Sequence, residues 1–145
     1  MNRGGRLRSP RHNTGFAAGQ RLDIRTRAGL GDPFQALCEI CGIWLGLYGG
    51  QVHHRHNRQS GGSRLANVLS NGVLACGTPV TGCHGKCTIG TGPVMESMKD
   101  RGFVLITGQN PLLVPILMPS TDGDLPTWLT NTGTYSAEAP LKEAA

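Results

Sequence analysis

Apolar residues in this chain come in short runs separated by polar, glycine-rich stretches. Ile43, Trp44, Leu45, Leu47 and Tyr48 form one run, broken by Gly46 and Gly49-Gly50. The pattern predicts a single strand, or a bent strand with a turn at the glycine pair, leading to His53-His54. Residues 55–66 are polar and basic and carry Gly61-Gly62, which predicts a loop. Val73 and Leu74, just after Asn71-Gly72, predict a second strand ending at Cys76. Val94–Arg101 collects helix formers, and Gly102 is well placed as a C-terminal stop. Phe103–Thr107 and Leu112–Met118 read as two strands around Asn110-Pro111, the second interrupted by Pro115 and so expected at an edge.

These elements divide the chain into three parts. Residues 1–30 read as a flexible basic arm, in which Gln20–Ala28 has the makings of a short helix. Residues 31–118 hold the expected domain, with order starting near Pro33. Residues 119–145 read as a polar tail with Trp128 as an anchor.

Composition sharpens this picture. The chain has 145 residues, enough for one domain, with 38% hydrophobic and only 5% aromatic content. Its 22 glycines and 9 prolines imply many loops, and a small loop-rich domain commonly needs a staple such as a structural metal. Net charge is +5 and the pI is about 9.3. Arg3, Arg6, Arg8, Arg11, Arg21, Arg25 and Arg27 crowd the first thirty positions against Asp23 alone. That excess suits a polyanionic partner, since each neutralised phosphate releases counterions, and equally suits a solvated tail. No apolar stretch reaches the length of a membrane helix and no signal segment follows the basic start, so no membrane partner is expected. Five cysteines without a signal point to a reducing, cytoplasmic setting, where metal binding is commoner than disulfides.

The chemistry concentrates in the middle of the chain. Cys38-Glu-Ile-Cys41 can close on one ion from a tight knuckle, and Cys76 and Cys83 can join it if Gly77, Pro79 and Gly82 fold the chain back. Four thiolates suit a structural zinc ion. Cys87 is left over. Between the pairs stand His53-His54 and Asn71, and His84 directly follows Cys83. Adjacent histidines on a strand point to opposite sides, so one can ligate a metal while its neighbour faces a water. Phosphodiester hydrolysis needs both jobs: charge offset at the phosphorane and a neutral imidazole to take the proton. Asn71 offers a donor and an acceptor, suited to bracing a loop or fixing the base's tautomer.

The ordered set Cys38-Glu-Ile-Cys41-Gly…His53-His54-Arg55-x-x-Arg58-x-x-Gly61-Gly62-Ser63…Ser70-Asn71-Gly72-Val73-Leu74-Ala75-Cys76-Gly77…Thr81-Gly82-Cys83-His84-Gly85 resembles the HNH endonuclease family in its bacteriophage version. The resemblance covers roughly residues 36–107. It implies a small α+β domain of the ββα-metal type: a hairpin and a helix gripping one divalent cation (Mg²⁺, Mn²⁺, Ni²⁺ or Zn²⁺), with a zinc knuckle beneath. By position, it implies His53 and His84 as ligands of the catalytic ion, His54 as general base and Asn71 as the bracing asparagine. Arg55, Arg58 and Arg64 would then face the DNA backbone. Gly85, Gly90, Gly92 and Pro93 depart from the family pattern and are expected to delay the last helix to Val94, leaving His84 on a loop.

The sequence thus points to a metal-dependent DNA endonuclease, with work beside phage packaging or replication proteins among the compatible roles. The alternative is a zinc-containing DNA-binding module without catalysis. A cysteine-nucleophile hydrolase would leave the cysteine pairing unused. Gly85-Lys86 is followed by Cys87 rather than Ser or Thr, which excludes a P-loop, and no G-x-S-x-G elbow is present.

Overall fold

The computed structural model describes residues 15–56 and 64–141. They form an α+β structure with helices α1 (Ala18–Ala28), α2 (Gly82–Thr88) and α3 (Pro93–Asp100). Strands β1 (Gln51–His54) and β2 (Gly72–Ala75) pair antiparallel, and β3 (Ile116–Met118), β4 (Leu125–Leu129) and β5 (Tyr135–Ser136) make a second antiparallel sheet. Among the described residues no helix is long and apolar enough to cross a membrane.

The β1–β2 hairpin sits between two apolar clusters because its side chains alternate between faces. Val73 and Ala75 enter one cluster with Cys38, Ile40, Phe103, Ile116 and Leu129. Leu74, between them, enters the other with Phe16, Ile24, Ala28 and Ala36. In the register His53 lies across from Val73 and His54 from Gly72, so the two histidines inherit opposite faces.

Helix α1 draws the N-terminal segment into the fold. The Gln20 side chain accepts the Ala17 amide at 2.9 Å and caps the first turn, while Ile24 and Ala28, four residues apart, are buried on one face. The expected flexible arm to residue 30 is therefore corrected for residues 16–28, where Phe16 and Ile24 are core; residues 1–14 lie outside the described residues. The polar tail from residue 119 is corrected likewise. Its β4 and β5 strands complete the second sheet, Leu129 is fully buried, and Trp128 donates its indole N–H to the Leu113 carbonyl at 3.1 Å.

Three strand expectations also change. The 43–48 run makes only an isolated bridge, Leu37 with Trp44, because its side chains are mostly exposed and find no facing apolar strand. Residues 103–107 form no strand. Phe103 and Leu105 are buried, and the Leu105 amide donates to the Arg55 carbonyl rather than to a ladder. The 112–118 strand is confined to β3, after Pro115, where backbone amides can pair.

Candidate metal and cleft centre

Cys38 and Cys41 flank a reverse turn in which the Gly42 amide returns to the Cys38 carbonyl at 2.8 Å. Cys76 ends the second strand's run and Cys83 opens α2. The turn between them needs glycine twice: Gly77 and Gly82 have φ of +84° and +60°, in the left-handed region. Thr78 and Thr81 close it with reciprocal backbone bonds. The result is four sulfurs within 4.8 Å of one another, with Cys41 and Cys76 Sγ 3.9 Å apart. A tetrahedral ion with bonds of about 2.3 Å places its sulfurs roughly 3.8 Å apart, so the cluster fits zinc.

The surroundings support thiolates on a cation. Cys76 Sγ accepts the Cys83 amide and Cys38 Sγ accepts the Cys76 amide, each at 3.4 Å. Burial pushes Cys38 up to about 11 and raises Cys83, so these thiols keep their protons until a positive ion offsets the charge. At Cys76 burial also acts upward, but hydrogen bonds from Cys83 and the neighbouring thiols bring it below the ordinary value. Cys87 is buried close by and held up at about 12 by burial and the neighbouring Cys38.

Between the cysteines of this knuckle lies a group that sequence reasoning passed over. Glu39 is 1% exposed, and its carboxylate accepts four bonds. Arg27 Nε and Nη2 reach it at 2.9 and 2.8 Å, the Leu74 amide at 2.7 Å and the Tyr135 hydroxyl at 2.6 Å. Knuckle, α1, hairpin and C-terminal sheet therefore meet at one carboxylate.

Helix α2 starts at Gly82 and carries His84 in its first turn, correcting the expectation of a loop there and a helix only from Val94. Gly85 does not interrupt it. A Cβ at Gly85 would lie 2.7 Å from the Val80 carbonyl carbon, so glycine is what lets the helix pack onto the preceding turn.

The helix brings His84 to His53. Their rings meet edge to face with centroids 5.4 Å apart. His53 Nε2 donates to the Phe103 carbonyl at 3.1 Å, which leaves its lone pair on Nδ1. His84 Nδ1 is buried without a hydrogen-bond partner. Burial, followed by the neighbouring His84, pushes His53 down to about 4. Burial and His54 lower His84 too, so both rings are neutral lone-pair donors at neutral pH. Neutral imidazoles are common metal ligands.

His54 takes the other face. It stacks on Phe16 with centroids 4.4 Å apart and 20° between planes, and its Nε2 lies 3.0 Å from Asn67 Oδ1. The stack depends on Gly72, where a Cβ would lie 2.8 Å from Phe16 Cζ and 2.6 Å from Ile24 Cδ1. Asn71 is fully buried and ties His56 to Ala66: its Oδ1 accepts the His56 amide at 2.8 Å and its Nδ2 donates to the Ala66 carbonyl at 2.9 Å. Asn67, rather than Asn71, touches the His54 ring.

Arg55 is corrected outright. Strand alternation sends it inward with His53, and it is 0% exposed. Its guanidinium donates to the carbonyls of Gly102, Ser70, Pro111 and Val114 at 2.7–3.0 Å, which removes it from any DNA-facing surface. Arg58 and the Arg64 side chain lie outside the described residues.

His53, His54 and His84 line one cavity of about 610 Å³ together with Phe16, Arg21 and Arg25. Of the site's residues, Phe16 and Asn67 escaped sequence reading and Arg21 was read only as part of the basic arm; the helical spacing of Ile24 and Ala28 was the available sign that residues 16–28 belong to the fold. Comparison of the chain with protein-family models, curated proteins and solved structures returns no match.

Proposed function

We infer that the chain is a metal-dependent DNA endonuclease of HNH type, a ββα-metal nuclease with a zinc knuckle. One observation carries this reading: neutral His53 and His84 meet across the hairpin and the following helix while His54 lines the same cleft. His53 and His84 would hold the catalytic ion. A divalent cation held there would supply charge offset at the phosphorane and the leaving oxygen.

The proton chemistry falls to His54. With Nε2–H donated to Asn67 Oδ1, the ring's basic nitrogen is Nδ1, the atom that would take the proton of an attacking water. Phe16 covers one ring face and limits rotation. Asn71 acts at a distance, fixing His56 and Ala66 on either side of segment 57–63.

Supercoiled-plasmid cleavage by the purified protein, scanned over Mg²⁺, Mn²⁺, Ni²⁺ and Zn²⁺, tests the reading. Nicked or linear product from the parent and none from His54→Ala is the expected result, with DNA binding nearly unchanged. A folded, zinc-loaded parent that binds DNA but gives no product with any of these metals would instead make the chain a binding module.

A further inference from the structure

With Arg55 buried, the described part of the cleft still holds a cation for a polyanion. Arg21, on the first turns of α1, lines the cavity that His53, His54 and His84 share. It is exposed and forms no ion pair with a described acidic residue. Its one described side-chain hydrogen bond runs from Nη1 to the Phe16 carbonyl at 2.7 Å. Arginine has five N–H donors in a planar fork matched to phosphate oxygens, so most of the fork stays available.

The neighbouring arginines differ. Arg25 lines the same cavity, but Nε, Nη1 and Nη2 each donate to a backbone carbonyl, of Pro33, Gly49 and Gly46. Arg27 is held by Glu39 and the Gly72 carbonyl. These side chains build the wall; Arg21 stands on it.

We propose that Arg21 binds a phosphodiester of the nucleic acid in this cleft, making the N-terminal segment part of the substrate site rather than an appended basic arm. The polyanion's identity rests on the nuclease reading above. The placement has a further consequence. Arg21 holds the Phe16 carbonyl and Phe16 stacks on His54, so the phosphate contact and the seat of the imidazole share one short segment.

The test is duplex-DNA binding by the zinc-loaded full chain, without added divalent metal, across a salt series. Arg21→Gln should weaken binding and reduce the slope of log K against log salt by about 0.9, the value for one lost phosphate contact. Arg21→Lys should keep the parent slope. An Arg21→Gln protein with parent zinc content, melting temperature and slope overturns the proposal. Because Arg21→Gln also releases Phe16, a second measurement uses the parent alone: the Arg21 Nε–H resonance, assigned through its loss in Arg21→Lys, should shift on titration with a thymidine dinucleotide. An unmoved resonance overturns the proposal. Cleavage separates the two ideas. A parent that cuts DNA with an Arg21-independent slope removes Arg21 alone, whereas an Arg21-dependent slope in a protein that never cuts removes the nuclease reading alone.

Discussion

His53 and His84 meet edge to face, 5.4 Å between ring centroids, although one lies in strand β1 and the other in the first turn of α2. Each is neutral for the same first reason, burial, and the buried Nδ1 of His84 has no hydrogen-bond partner. Replacing either with alanine should weaken Mn²⁺ or Ni²⁺ binding by more than the roughly 10–100-fold that follows loss of an outer-shell partner. Zinc content should stay unchanged. Titration calorimetry reads this, and parent-like affinity in both variants would remove the histidines from the metal site.

The four-sulfur cluster predicts one tightly held zinc per chain by elemental analysis. Cys38→Ser should lose that zinc and the folded state with it, since a small loop-rich core leans on its metal. Cys87→Ser should retain the zinc, because Cys87 lies outside the four converging sulfurs. A zinc-loaded, parent-like Cys38→Ser protein would refute the assignment.

Arg55→Met should destabilise the fold rather than impair DNA contact. It leaves four carbonyls without their donor, those of Gly102 and Ser70 buried and those of Pro111 and Val114 half-buried, and each unsatisfied buried group costs about 1–3 kcal/mol. Urea unfolding should show the loss. The salt dependence of DNA binding, taken where the variant is folded, should match the parent.

Gly72→Ala should dislodge Phe16 from His54, as the added methyl overlaps the Phe16 ring edge and Ile24 Cδ1. Overpacking of this kind costs about 1–3 kcal/mol. The direct readout is NMR: the His54 ring protons should lose the ring-current shift that the stacked phenyl imposes. An unchanged shift would mean that the cluster absorbs the methyl elsewhere.

Glu39→Gln should cost about 3–5 kcal/mol, the usual result of breaking a buried ion pair from one side, because Arg27 stays charged in the interior. Equilibrium denaturation checks it. The variant should also loosen the C-terminal sheet, seen as faster amide exchange at Tyr135, whose hydroxyl Glu39 receives.

The sequence alone determined the local chemistry. Cysteine spacing with turn-forming glycines announced the four-sulfur cluster. The Asn71-Gly72 step before an apolar pair announced β2, and adjacent histidines on a strand announced two faces. Each is a short-range property, set by turn stereochemistry or by the two-residue strand period. Only the tertiary structure decided which groups are interior. Arg55 reads as a surface cation until strand alternation and four carbonyls from distant segments surround it. Phe16 and Arg21 read as an arm until α1 packs on Leu74, and Leu129 and Tyr135 read as a tail until they reach the knuckle. Gly85 reads as a helix breaker until the Val80 backbone fills the space a methyl would take. Such contacts join residues far apart in the chain, and no local pattern encodes a partner that the fold itself supplies.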